Sequence, residues 1–258
     1  STRYAGAEPN QMLELVRDTG ADGINGDTLY TMPTPFWDAQ VASNGPYVAL
    51  QAELGGTLSS LKYTTLGWGE AGAWSLDLKS SLAPSVDLFK WLQPRRMTTI
   101  CRRWDKDRND ALQHAWFNGI GYVAWENVWG IWNGFTERDG QALKRIQPLM
   151  RYMASMGLLN SEGWEPHART AQPDAIFASR FPQSRRWGPF ADGAHNRSAD
   201  GRQSAPPPCS AWTAWTLVER SGQAWPAGTP ILRLNADSFA GCGFFDVYHG
   251  KRIQPSLG

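Results

Sequence analysis

Four carboxylates close short apolar segments. Asp27 follows Gly23-Ile24-Asn25-Gly26, Glu53 follows Val48-Ala49-Leu50-Gln51-Ala52, Glu70 follows Leu66-Gly67-Trp68-Gly69, and Glu126 follows Gly121-Tyr122-Val123-Ala124-Trp125. Paired carboxyl groups are what glycoside hydrolysis needs: one protonates the leaving oxygen, the other attacks the sugar or activates water. A ring of acids also provides the burial and like-charge proximity that raise the pKa of a general acid. Strand parity ranks the four. Asn25 and Asp27 share one face while Ile24 takes the other, and Gln51 and Glu53 oppose Val48, Leu50 and Ala52. If the apolar sets face helices, Asn25, Asp27, Gln51 and Glu53 face a common interior. Glu70 shares parity with Leu66 and Trp68, and Glu126 with Tyr122 and Ala124. The expected roles are Asp27 as nucleophile or base and Glu53 as general acid. Glu126 is a helper or alternative, and Glu70 stands in reserve. The competing reading makes these acids loop caps, or partners of Arg102, Arg103 or Lys62.

Tryptophan is the compositional outlier, with 14 residues in 258. Indoles fill cores and also stack on the apolar faces of sugar rings. Trp68, Trp104, Trp125, Trp129 and Trp132 fall near the acid-bearing ends and join Asn25, Gln51 and Arg102 as candidate substrate contacts. Trp37 and Trp74 are further aromatics of that group, and packing is the alternative for each. The stretch from Arg102 to Arg108 reads most simply as a solvated loop entering a helix. Other chemistries find no support. His114, His167, His195 and His249 lack metal-ligand spacing, as do Cys101, Cys209 and Cys242, so no metal or cofactor is expected. Cys209 and Cys242 are either a bridge or two thiols. Lys62 lies at the wrong end of its strand for Schiff-base work. Lys+Arg number 25 against 24 Asp+Glu, a net charge of +1, which gives no electrostatic reason for nucleic acid. No apolar run is long enough to span a membrane.

Those side chains need a scaffold, and the spacing predicts one. Five strand-like segments fall within roughly the first 155 residues. Helical patterns are predicted over 8–20, 85–93, 107–118 and 136–156, the last kinked or divided at Pro148. Strands alternating with helices indicate a parallel sheet. No glycine-rich phosphate loop follows a strand, which disfavours a doubly wound dinucleotide fold. Acids on successive strand ends favour a (β/α)8 barrel, whose active residues gather at one mouth. The expected architecture is therefore the C-terminal part, about five β/α units, of such a barrel over 1–158. A linker over 159–174 and a small all-β sandwich over 175–258 follow, with a loop insertion at 183–209. The chain opens at Ser1 already near a helical pattern, so it reads as a piece of a longer protein. Its missing partners would be the N-terminal barrel half and a further C-terminal module.

Several segments, in order, carry a family resemblance. They are Gly20-Ala21-Asp22-Gly23-Ile24-Asn25-Gly26-Asp27-Thr28, Trp125-Glu126-Asn127-Val128-Trp129-Gly130, Phe177-Ala178-Ser179-Arg180-Phe181-Pro182, Trp215-Thr216-Leu217-Val218 and Phe245-Asp246-Val247-Tyr248-His249-Gly250. The chain resembles the glycoside-hydrolase-like barrel plus β-sandwich of bacterial proteins that also carry a formylglycine-generating-enzyme-like module. The resemblance implies a glycosidase-type barrel with Asp27 in the place of a retaining enzyme's nucleophile after the fourth strand. The partner acid differs among such families, leaving Glu53 and Glu70 as alternatives. Cys101-Arg102-Arg103 puts no acid where a strand-seven carboxylate would sit. The expectation is a glycosidase acting on an oligo- or polysaccharide, periplasmic or secreted. The alternative is a non-catalytic carbohydrate-binding or scaffold module.

Overall fold

The computed structural model describes residues 8–26, 29, 31–43, 45, 47–53, 57–64, 66–69, 83–183, 212–235, 237–239 and 241–255. The chain divides into two compact units. The first holds the N-terminal residues through Ser81 with Ser85–Ala115 and Ile120–Thr136; the second holds Glu137–Gly258 with Leu82–Pro84 and Trp116–Gly119.

In the first unit, helix α1 (Pro9–Thr19) starts with proline at its first turn and stops at Gly20, whose φ of 67° lets its N–H reach the Val16 carbonyl. Strand β1 (Gly23–Gly26), helix α2 (Thr34–Ser43), and strands β2 (Ala49–Ala52) and β3 (Leu66–Gly69) follow. Then come helix α3 (Leu88–Leu92), strand β4 (Met97–Cys101), helix α4 (Asn109–Asn118, its last turn counted with the second unit), strand β5 (Gly121–Val123) and the short strands β6 (Asn127–Val128) and β7 (Ile131–Trp132). The first five strands form one sheet in the order β1-β2-β3-β4-β5, every neighbouring pair parallel. Sheet order that follows chain order without reversal is the arrangement of a (β/α)8-barrel segment; a doubly wound sheet changes direction at its switch point.

Burial alternates as the apolar pattern requires. Ile24 in β1 and Leu50 and Ala52 in β2 are buried in a cluster with Met32, Phe36 and Tyr63, against which Met12 and Val16 of α1 pack. The opposite face carries Asn25 and Gln51, which are Cα partners and hydrogen-bonded, Asn25 Nδ2 donating to Gln51 Oε1 at 2.9 Å. Ile100 of β4 and Ile120 pack with Ala111 and Ala115 of α4 in a second cluster.

The second unit contains helix α5 (Glu137–Ser155), strands β8 (Glu165–Ala168), β9 (Ile176–Pro182) and β10 (Thr213–Glu219), and the hairpin β11 (Phe244–Asp246) and β12 (Lys251–Ile253). Its three-stranded sheet runs β10-β9-β8, antiparallel throughout, the expected all-β chemistry. Phe181 is fully buried with its ring stacked on Trp164 at 6.0 Å. Helix α5 is not divided at Pro148. The span 159–174, read as linker, contains β8. Leu232 makes an isolated bridge to Thr170. Cys242 is disulfide-bonded, its partner lying outside the described residues, and Cys101 is buried and forms no disulfide.

Candidate functional site

The site is built at the C-terminal edge of the parallel sheet. Gly26 and Ala52 are Cα partners, and Asp27 and Glu53 are the next residues in each chain. Glu53 is only 5% exposed, and its N–H donates to the Gly26 carbonyl at 3.2 Å. Asp27, Glu70 and the side chain of Trp68 lie outside the described residues, as does Trp74.

Glu126 is placed differently. It follows β5, and its Oε1 accepts the Phe135 N–H at 3.1 Å while its carbonyl accepts the Asn133 N–H at 2.6 Å. Those bonds brace the foot of a hairpin formed by β6 (Asn127–Val128) and β7 (Ile131–Trp132). The two turn residues, Trp129 at φ 50° and Gly130 at φ 82°, are both left-handed, the signature of a two-residue type I′ turn. Asn127 Oδ1 accepts the Gly130 N–H at 3.0 Å and closes it. Glycine suits this conformation; tryptophan does not. The hairpin therefore carries an indole on a backbone conformation that tryptophan rarely adopts.

That indole belongs to a cluster. Trp129 is 83% exposed, and Trp104 and Trp125 are exposed beside it; Trp132, 68% exposed, is on the same hairpin. Trp104 meets Trp129 edge to face at a centroid distance of 5.6 Å. Beneath them lies Arg103, 7% exposed, with its guanidinium carbon 4.8 Å from the Trp125 centroid, 5.3 Å from Trp129 and 5.7 Å from Trp104. A cation shared among three indole faces fixes their tilt while leaving their outer faces to solvent. Arg102, the candidate contact from sequence, is half-buried at the end of β4.

The expectation of a solvated 102–108 loop is corrected here. Arg108 is 1% exposed: Nε donates to the Asp105 carbonyl at 2.7 Å, its guanidinium lies 4.2 Å from the Phe135 centroid, and a terminal nitrogen donates to the Asn133 carbonyl. Asn133 in turn donates to the Arg103 carbonyl at 2.7 Å. Sequence reasoning missed Arg103, Arg108 and Asn133. The available signal was the density of aromatic residues around the two arginines, which offers stacking partners for guanidinium.

The strongest perturbed titration lies at the other end of the sheet. Lys90 is pushed down to about 8 by burial, with the Asp87 charge opposing, and its Nζ donates to the Pro94 carbonyl at 2.9 Å. Burial also raises the Asp87 carboxyl, whose Oδ1 caps α3 by accepting the Lys90 N–H at 2.7 Å. Arg96, lowered by burial, donates to Thr64 and to the Leu66 carbonyl. This cluster leads into β4, at the N-terminal face where barrel residues serve stability.

No family model matches the chain, and no curated protein matches it. Among solved structures it is similar to a noncanonic maltogenic alpha-amylase from Thermotoga neapolitana, with a TM-score of 0.45 and 14% identity. The match covers 67% of this chain and spans half the length of the amylase chain, 50%. What the chain's own topology defines is an α/β protein with a parallel, barrel-ordered sheet, followed by antiparallel β-structure.

Proposed function

We propose that this chain binds and cleaves a saccharide at the C-terminal edge of its parallel sheet, with Asp27 as nucleophile and Glu53 as general acid. The observation that carries the reading is the exposed indole cluster of Trp104, Trp125 and Trp129, built over Arg103 where β4 and β5 end, with Trp132 exposed on the same hairpin. Sugar rings lie on such faces through their axial C–H groups, and a polar rim supplies the hydroxyl contacts. The amides of Asn25 and Gln51 offer donors and acceptors on the sheet face shared by their positions. Glu53 is buried at the end of β2, its N–H bonded to the Gly26 carbonyl at the end of β1. In this reading Asp27 attacks the anomeric carbon as Glu53 protonates the leaving oxygen; water then enters with Glu53 as base. Glu126 braces the hairpin, and Glu70 remains the alternative partner acid.

The test is turnover on a panel of oligo- and polysaccharides. Asp27→Asn and Glu53→Gln should each lower the rate at least about a hundredfold while leaving sugar binding and the melting temperature in place. Full activity in both variants would remove the assignment. A second reading, a module that holds sugar without cleaving it, is favoured by the engagement of Glu126 in the hairpin foot. It predicts saccharide binding by the unmodified chain with no turnover on any substrate of the panel.

A further inference from the structure

Helix α5 presents one face at spacings of three and four: Gln141, Lys144, Arg145, Pro148 and Leu149. With Val247 and Tyr248, from the turn joining β11 to β12, these residues line a groove of about 460 Å³. That is the size class of a small-molecule site. Its chemistry is one-sided. Among the described residues no carboxylate lies within ion-pair distance of Lys144 or Arg145. Asp246, at the edge of the same turn, is already committed: its Oδ2 is 2.6 Å from His249 Nδ1 and its Oδ1 accepts the His249 N–H at 3.0 Å. Asp139, at the start of the helix, is paired with Arg138 at 2.9 Å. The Arg145 guanidinium carbon sits 5.3 Å from the Tyr248 ring centroid, a contact that orients its donor fork. Pro148 brings no N–H, so the Lys144 carbonyl lacks its helical donor four residues on and remains an acceptor.

We infer that this groove is a binding site for an anionic saccharide, a hydroxylated ring bearing a carboxylate. The carboxylate would meet Lys144 and the Arg145 fork, whose charge-assisted bonds are the strong ones. Hydroxyls would meet the Gln141 amide and the Lys144 carbonyl, and the apolar ring face would meet Tyr248 and Pro148. The site is independent of the strand-end acids, lying wholly in the second unit.

Calorimetric titration of the full chain with trigalacturonate, maltotriose and inorganic phosphate tests this. Trigalacturonate should bind in the millimolar range or tighter, weakening as salt is added. Phosphate, and whatever part of maltotriose binding depends on Lys144 and Arg145, should each be on the order of tenfold weaker. Lys144→Gln and Arg145→Gln should each lose on the order of tenfold in affinity for trigalacturonate, with circular dichroism unchanged. Tyr248→Leu keeps both charges and should weaken trigalacturonate while sparing phosphate. The inference is overturned if trigalacturonate does not bind, or if the double glutamine variant binds it undiminished. Equal affinity for maltotriose that falls in the double glutamine variant overturns the anionic assignment, and equal affinity for phosphate overturns the saccharide one.

Discussion

Truncating Trp129 separates a binding residue from a packing residue, because the two roles carry different energies here. An indole that is 83% exposed keeps only about 40 Å² in contact with protein, worth about 1 kcal/mol at ~25 cal/mol/Å². Its contact with Arg103, at 5.3 Å, adds about 0.5–1 kcal/mol. Against these stands the left-handed backbone at φ 50°, which glycine relieves by about 1 kcal/mol and alanine does not. Trp129→Gly should therefore leave stability within about 1 kcal/mol of the parent, and Trp129→Ala should cost about 1–2 kcal/mol, a few degrees of melting temperature. Sugar binding should respond far more. A pyranose face laid on the indole covers roughly 80–100 Å², about 2 kcal/mol, or on the order of thirtyfold in Kd. Calorimetric titration with neutral oligosaccharides and a thermal melt of the same samples measure both. Undiminished affinity in Trp129→Gly would refute the platform. A melting temperature lowered by tens of degrees would show the indole to be core instead.

Glu126→Gln keeps an acceptor for the Phe135 N–H, so activity and stability should both survive, whereas Glu126→Ala should cost about 1–2 kcal/mol in urea denaturation. A collapse of turnover in Glu126→Gln would make it a catalytic acid. Lys90 holds its proton less tightly in the fold, at about 8, than in the unfolded chain near 10.5, so the unfolded state binds more protons between those values. Stability should thus rise with pH across that window by up to about 3 kcal/mol, and Lys90→Met should flatten the rise in urea midpoints. Asp87, pushed up by burial, gives the opposite slope just above 3.8, stability falling as pH rises through its folded pKa. Gly119→Ala should cost about 2–4 kcal/mol, because φ is 63° and a Cβ would stand 2.8 Å from the buried Phe181 ring; an unchanged melting temperature would contradict that packing.

The parallel sheet was legible because its two constraints are local. Ile24, Leu50 and Ala52 alternate with polar or small residues, and Gly20 ends α1 in the left-handed conformation that glycine adopts without strain. Helix α2 was not legible, since Gln40 occupies a buried position one turn after Phe36 and breaks the apolar stripe. That glutamine is buried at 2% exposure because its Oε1 accepts the Val48 N–H at 2.9 Å, fixing the entry to β2. Helix α5 passes through Pro148 because a single missing N–H is a local loss, outweighed by a helix of 19 residues. Strand β8 escaped notice for a related reason: Glu165-Pro166-His167-Ala168 has no alternating pattern, and its register is set by pairing with β9 across an irregularity between Pro166 and Ala168.

At the site, residue type misled where charge was read as solvation. Arg103 and Arg108 stand in a run of charged residues, yet both are buried, because guanidinium is weakly hydrated and stacks on rings. The hairpin was hidden by its turn, where Trp129-Gly130 stands in place of the asparagine-glycine pair that signals a type I′ connection. These two failures have one cause. Trp129 reaches its exposed position because Arg103 lies beneath it, and Asn133 bonds to the Arg103 carbonyl and Arg108 to that of Asn133. The polar residues are the foundation and the aromatic residues the surface, the reverse of a folding core. On the proposed reading, burying the cations and exposing the indoles leaves the indole faces outside for a saccharide, and the Trp129 variants test that reading.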